Sequence, residues 1–396
     1  MSSATRLLPG QVGNDGRQAM HAPTLVRDRC IVREPSPAQQ AQRFDTASGA
    51  VPDSPQFFAP EACLAPNPLP VAAAPAPPFF AADVGGTHVR VGVVLVDEVD
   101  GPVRIGGYRQ YRCADHAGLG PILADFLAHS PWLERGVIAC AGHQLADGSV
   151  ISANLPWPLS VAAIRQQLGL QDLRLVNDFE AVAHAAAQVE SQQVLQLTGP
   201  AEAARGPILM VGPGTGLGAA LWIPASHGAI VLPTEAGQST LAASTELEMA
   251  IVGQLQAGRR HVAIEHAISG PGLLNLYNAV CALEGKTPGL QAPDAVSRAG
   301  CDGSDPQAVQ ALEVFCALLG STIGDMALNY GAHAIYLAGG ILPGISDFLA
   351  RSQFAERFLD KGVMREALQR IPVRVVEHGQ LGVIGAARWY LHQLQH

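Results

Sequence analysis

The most regular feature of the chain is an alternation of short apolar runs and glycine turns that begins at residue 79. Phe79-Phe80-Ala81-Ala82-Asp83-Val84 leads into Gly85-Gly86-Thr87 and then Val89-Arg90-Val91-Gly92-Val93-Val94-Leu95-Val96. Apolar and β-branched residues flanking glycines that tolerate positive φ predict strand, tight turn, strand. The same unit returns at 208–223, where Ile208-Leu209-Met210-Val211 and Ala219-Ala220-Leu221-Trp222-Ile223 flank a glycine-rich loop. Further strands are predicted at 136–141, 173–176, 334–338 and 373–376. Helices are predicted at 179–189, 244–255, 271–283, 308–330, 346–359 and 381–394. Strands mixed with helices, without a fixed period, predict an α/β fold with more than one sheet. The two strand–glycine–strand units suggest internal duplication, but they share too few residues to define a sequence repeat.

Ahead of residue 79 this pattern is absent. Residues 1–78 hold 13 of the 29 prolines, and repeated proline removes backbone donors and disfavours helix before it. An unstructured extension, or a start codon placed too early, is favoured there over a docking arm. Six Arg and six Asp or Glu cancel in that stretch, so the net charge of −9 falls on residues 79–396. With 25 Lys and Arg against 34 Asp and Glu, the chain lacks the basic field that duplex nucleic acid requires. No uninterrupted run approaches the ~18 apolar residues of a membrane span, and residues 1–10 carry no signal-peptide core. Seven scattered cysteines without a CxxC pair argue for a reducing compartment rather than a disulfide framework. A cytoplasmic protein is expected.

Three glycine signals compete for a chemical role. Gly285-Lys286-Thr287 ends like a phosphate-binding P-loop, but that motif requires glycine at position 280, which is Val. Gly214-Thr215-Gly216-Leu217-Gly218-Ala219 fits a relaxed dinucleotide pattern, with Glu235 at a distance suited to a ribose. A dinucleotide site needs a helix straight after the glycines, whereas Ala219 to Ile223 reads as a strand. An NAD-dependent dehydrogenase therefore rests on the glycines alone. Both hairpin loops are suited instead to presenting backbone N–H groups and a threonine hydroxyl to phosphate.

Taken together, the ordered part of the chain resembles the bacterial glucokinase family of the actin, hexokinase and heat-shock-70 superfamily. Asp83-Val84-Gly85-Gly86-Thr87 is similar to its first phosphate motif, Gly214-Thr215-Gly216-Leu217-Gly218 to its second, and Leu337-Ala338-Gly339-Gly340 to its adenosine motif. Val176-Asn177-Asp178-Phe179-Glu180-Ala181 resembles its catalytic segment, and Ser269-Gly270-Pro271-Gly272-Leu273-Leu274-Asn275-Leu276-Tyr277 a stretch peculiar to this group. The resemblance runs from about residue 79 to the C-terminus. It implies a two-lobed α/β fold with the active site in a cleft: a smaller domain at 79–188, a larger one at 189–376, and a helix at 377–396 returning to the smaller.

The activity implied is ATP-dependent phosphorylation of glucose or a related hexose to the 6-phosphate. Such transfer needs positioning, charge stabilisation and a base for the hydroxyl proton. The resemblance makes Asp178 that base; the alternative is that Asn177-Asp178 only caps the following helix. Asn154, Asn177, Glu235 and Glu265 would satisfy the sugar hydroxyls, and Gly85, Gly86, Thr87, Gly214, Thr215, Gly216, Gly218, Gly339 and Gly340 would line the nucleotide. Asp83 would orient a water on the Mg²⁺ carried with ATP. Glu265 also reads as an exposed helix residue, and His261, Glu265 and His266 as a metal cluster lacking a fourth ligand. No protein-bound metal, nucleic acid or membrane is expected, and a homodimer is compatible with the sequence.

Two positions depart from the family. Gln238 stands in Glu235-Ala236-Gly237-Gln238 where the family has His, and an amide cannot become cationic or match the reach of imidazole. His88 follows the first phosphate motif in place of Asn. Gln238 and the proline-rich stretch motivate a rival reading, a weakly active or non-catalytic paralogue that binds sugar or nucleotide.

Overall fold

A computed structural model describes residues 77–96, 102–145, 147–151, 155–186, 194–226, 228–376 and 379–395, all within the compact unit Pro68–His396. Nearly all of the proline-rich stretch and Asn154 lie outside the described residues.

The first strands are β1 (Phe79–Val84), β2 (His88–Leu95) and β3 (Arg104–Arg112), followed by α1 (Leu119–Ala128) and β4 (Arg135–Cys140). Short strands β5 (His143–Gln144), β6 (Ser149–Ile151) and β7 (Leu159–Ser160) pair with one another, and α2 (Val161–Gln167), β8 (Asp172–Asn177) and α3 (Asp178–His184) complete this part. β1, β4 and β8 run parallel and β2 and β3 antiparallel, in the order β3-β2-β1-β4-β8.

The second part opens with β9 (Val194–Thr198), β10 (Ile208–Pro213), β11 (Leu217–Ala225) and β12 (Gly228–Thr234). Helices α4 (Glu246–Leu255), α5 (Gly270–Leu283), α6 (Pro293–Asp302) and α7 (Pro306–Tyr330) follow, then β13 (Ala334–Leu337), α8 (Leu342–Arg351), α9 (Phe354–Leu359), α10 (Arg365–Leu368), β14 (Val373–Val376) and α11 (Leu381–Gln395). The sheet order is β12-β11-β10-β13-β14-β9, with β10, β13 and β14 parallel. The first five strands thus repeat the pairing scheme of the first sheet.

Strand alternation decides what each sheet face meets. Phe80, Ala82 and Val84 of β1 face a core with α1 and α2, while Phe79 and Ala81 face α11. Leu209 and Val211 of β10 face the layer of α4 to α9, while Met210 faces α3. β1 is buried on both faces, as its unbroken apolar run requires. α7 starts at Asp305, whose carboxylate caps the N–H groups of Gln307 and Ala308, with Pro306 in the first turn, and stops at Gly331 in the left-handed region, φ 60°. Averaged over 18 residues, α7 reaches a mean hydropathy of 1.5, enough for a membrane helix, but 83% of that window is buried in the fold.

Several boundaries differ from the sequence pattern. The helix predicted at 346–359 is two helices, because the Ser352 hydroxyl accepts from Phe354 N–H and donates to Leu349 C=O at the break. The helix predicted at 179–189 begins one residue earlier, at Asp178, and α3 ends at His184. β3 escaped prediction because Arg104-Ile105-Gly106-Gly107-Tyr108-Arg109-Gln110-Tyr111-Arg112 is a polar, partly exposed edge strand without an apolar run.

Candidate active site

The carboxyl ends of β1, β4 and β8 bring two predicted site residues to one place. Val84 is paired with Cys140, and Cys140 with Asn177, so Asp83 and Asp178 flank the end of β4. Neighbouring strands lie about 4.8 Å apart. Burial, reinforced by the charges of Asp178 and Asp83, pushes the Cys140 thiol up to about 12. The Cys140 side chain faces the α1 and α2 core together with Val84, whereas Asp83 faces α11. Asp83 is buried and pairs with Arg90, Nη1 to Oδ2 3.2 Å. A Cβ at Gly382 would lie 2.6 Å from the Asp83 carboxyl carbon, so the first turn of α11 closes over it.

Asn177 caps α3: its Oδ1 accepts from Phe179 N–H at 2.9 Å and Glu180 N–H at 3.1 Å. Asp178 is the first helical residue, and its Oδ1 accepts from Phe179 N–H at 2.9 Å. The capping alternative thus describes Asn177, whose oxygen is engaged and whose amide N–H₂ remains a donor suited to a hydroxyl.

The glycines of the second loop and of the Gly339-Gly340 turn divide into two groups. Gly214 and Gly340 have open space where a Cβ would be, as close approach of a ligand requires. Gly216, Gly218 and Gly339 are packed: a Cβ would meet Glu265 Oε2 at 2.6 Å, the Phe179 ring at 1.9 Å and Pro213 C=O at 2.3 Å, respectively. At the first loop a Cβ on Gly85 would meet only His88 C=O at 3.5 Å. Gly85 N–H donates to His88 C=O and Cys113 N–H to Thr87 C=O, fixing that turn while leaving the residues Thr87 and Thr215 exposed. The second loop is pinned by Gly270 N–H, which donates to Gly214 C=O at 2.7 Å.

The sugar candidates gather beside this loop. Glu235 and Gln238 bracket a short 3-10 turn, Ala236–Gln238, pressed on β11 so closely that a Cβ at Gly237 would lie 2.4 Å from Leu217 C=O. Gln238 Nε2 donates to Glu265 Oε1 at 2.8 Å, and Leu217 N–H donates to Glu265 Oε2 at 3.3 Å. Glu265 is half-buried in the 3-10 turn Ile264–His266, which replaces the exposed helix position considered from sequence. His266 Nδ1 accepts from Ala263 N–H at 3.1 Å; burial is the first cause that lowers its pKa, and Arg259 adds to it. That nitrogen serves the turn.

Residues 80–393 match the family model described as Glucokinase. The chain belongs to the glucokinase family. A glucokinase-like protein of Xylella fastidiosa is 56% identical over 319 residues, spanning 80% of this chain and 96% of that one. A glucokinase of Paramagnetospirillum magneticum is 38% identical over 315 residues, 77% of this chain and 95% of that one. The crystal structure of a glucokinase from an Antarctic psychrotroph aligns with a TM-score of 0.69 at 34% identity, covering 80% of this chain and 99% of that one. The two similarly ordered sheets are those of the actin-like and hexokinase fold that the motifs implied.

Within this glucokinase-family chain, several contributors to the site had no role of their own assigned from sequence, although Phe179 and Ser269 lie within the motifs that carry the resemblance. Phe179 fills the space left by two glycines, and Arg90 pairs with Asp83. Ser269 caps α5: its hydroxyl accepts from Gly272 N–H and donates to Glu265 C=O. A serine two residues before proline is a helix-start signal that would have found it. Among the described residues no group of three or more His, Cys, Asp or Glu is placed to hold a metal ion. Asp83, buried and paired with Arg90 beside the first loop, is a carboxylate that could hold a water of a Mg²⁺ arriving with ATP. A cavity of about 610 Å³ between the end of α7 and α10, lined by His333, Met364 and Arg370 among others, shares no residue with these motifs.

Proposed function

We propose that this protein transfers the γ-phosphoryl group of ATP to the 6-hydroxyl of glucose, with Asp178 as general base. The observation that carries this reading is the placement of Asp83 and Asp178 at the carboxyl ends of β1 and β8, on either side of β4, with loops whose open glycines and exposed threonines suit phosphate. ATP lies along the loops at Gly85-Gly86-Thr87, Gly214-Thr215-Gly216 and Gly339-Gly340, where the open space at Gly214 and Gly340 lets the main chain approach the nucleotide and the exposed Thr87 and Thr215 offer hydroxyls to the phosphates. Asn154, Asn177, Glu235, Gln238 and Glu265 hold the sugar. Asp178 accepts the hydroxyl proton as the oxygen attacks phosphorus, and Mg²⁺ on the nucleotide offsets charge on the phosphates. Domains 79–188 and 189–376, with the helix of 377–396 on the smaller, close on the sugar and exclude water as a competing acceptor. The reaction is cytoplasmic.

The rival reading is a sugar- or nucleotide-binding protein with little turnover. Its support is that Gln238 replaces His and that its amide is engaged with Glu265. ADP release measured with a panel of hexoses separates the two. The wild type turns over glucose, and Asp178→Asn lowers kcat ~10²–10⁴-fold while glucose still binds in calorimetry. No turnover with any hexose, despite measurable sugar binding, would establish the rival.

A further inference from the structure

We propose that Phe179 is a positioning residue for Asp178, and that positions 212 and 218 are glycine because together they form its seat; this rests on the reading of Asp178 as the base. Gly212 and Gly218 face each other across β10 and β11. A Cβ at Gly218 would come within 1.9 Å of Phe179 Cδ2, and one at Gly212 within 2.4 Å of its Cζ and 2.1 Å of Ala338 C=O. Neither glycine adopts positive φ, so backbone conformation does not require them. At Gly218 the space taken by the ring does, and at Gly212 the ring and the Ala338 carbonyl do so together.

Phe179 is joined to the carboxylate by more than sequence. Its N–H is the donor shared by Asn177 Oδ1 and Asp178 Oδ1, each at 2.9 Å. Wherever the ring is seated, that N–H is fixed, and with it both side chains that frame the reacting hydroxyl. The rest of α3 is attached to the second sheet without this ring, through Val182 and Ala183 packed against Met210, Ala220 and Tyr336. The ring secures the one end of α3 that carries chemistry. It also ties that end, which leaves the first sheet at β8, to the strands of the second phosphate loop.

The test uses the full-length chain, at a temperature where circular dichroism finds each variant folded. Phe179→Ala lowers kcat ~10–100-fold, as expected for a misplacement of about 1 Å, and leaves KM for glucose and ATP within about threefold. In an Asp178→Asn background the same substitution produces no further fall, because Phe179 acts through the base. Gly218→Ala displaces the ring and lowers kcat with little change in KM for ATP, and adding Phe179→Ala to it costs no additional rate. Phe179→Leu carries the same comparison if Phe179→Ala does not fold. An equal further loss in the Asp178→Asn background, or a rise in KM for ATP at unchanged kcat, overturns the proposal. Near-normal turnover of Asp178→Asn itself removes the base reading, and this inference with it; normal kcat in folded Phe179→Ala removes this inference alone.

Discussion

The two sheets share a pairing scheme but use it differently. Each has an antiparallel hairpin, β1–β2 or β10–β11, extended by two parallel strands, and each sends a helix from its last parallel strand. Those helices cross over: α3 leaves the first sheet and packs on Met210, Ala220 and Tyr336 of the second, while α11 leaves the second and packs on Phe79, Ala81 and Val137 of the first. Where they pass, a Cβ on Gly385 would lie 1.7 Å from Ala181 C=O. The hairpin turns differ most. The first is uncrowded at Gly85, whereas the second has Gly216 and Gly218 taken up by Glu265 and Phe179. A duplicated scaffold has become one open turn and one turn wedged against the candidate base and sugar residues.

The largest expected effect concerns a buried ion pair that holds the helical layer of the second half. Arg357 donates to both oxygens of Glu248 at 2.7 and 3.1 Å, and Glu248 also accepts from Ser244 and Thr245 N–H. Burial pushes the Glu248 carboxyl up, but the bonds from Arg357 and Ser244 outweigh it and the net direction is down. Arg357→Leu strands that carboxylate and destabilises by about 3–5 kcal/mol in urea unfolding at pH 7. Because Glu248 is depressed in the native fold, its contribution is present above the ordinary carboxylate pKa and lost as pH falls through the lower, folded one. The deficit of the variant therefore narrows below about pH 4. A deficit independent of pH would mean that lost packing dominates. Next in size is Gly385→Ala, which separates the crossing helices and costs about 3 kcal/mol, the upper end of overpacking effects, read as a lower urea midpoint.

How much of this was legible differs between the halves for a physical reason. Strands buried on both faces announce themselves: β1, β4, β10 and β13 are apolar runs, and the strand that follows Gly218 argues against a dinucleotide site from sequence alone. Edge strand β3, half exposed and polar, carries no such run, whereas β12 has Ala229-Ile230-Val231-Leu232 and was passed over although it carries one. Asp83 and Asp178 stand out in the sequence because each lies at the end of a detectable strand and within a motif that carries the family resemblance. The seat at Gly212 and Gly218 was not, since pairing across β10 and β11 with the ring of a residue 33 positions earlier than Gly212 is tertiary information. The link from Gln238 to Glu265 was hidden likewise: the sequence marks Gln238 as a departure but not what its amide holds.

The crossing helices also predict a pH dependence. His184, near the end of α3, lies with its ring 6.0 Å from that of His392 on α11. Burial, then the neighbouring His392, lowers its pKa from 6.5 to about 4. The native fold thus holds fewer protons there than the unfolded chain between those values, so stability is full above pH 6.5 and declines toward pH 4. At 1.36 kcal/mol per pKa unit the loss is at most about 3 kcal/mol. His184→Gln removes this slope while leaving the Glu248 component below about pH 4. An unchanged slope in urea midpoints between pH 6.5 and 4 would show that the helix crossing is not the titrating element.

The smallest structural effect, and the sharpest contrast between the turns, is expected at Gly85. A Cβ there meets only His88 C=O at 3.5 Å, an ordinary contact, and Gly85 has no positive φ to protect. Gly85→Ala therefore changes stability by less than about 1 kcal/mol, within the range of an uncrowded substitution. If the open turn exists to let the main chain approach phosphate, the added methyl stands between backbone and ligand, and KM for ATP rises severalfold while KM for glucose does not. Gly218→Ala, at the wedged turn, gives the opposite pattern: a loss in kcat and in stability with little change in KM for ATP. Equal signatures for the two substitutions would mean that the turns serve the nucleotide alike, and that the crowding around Gly218 has no separate catalytic consequence.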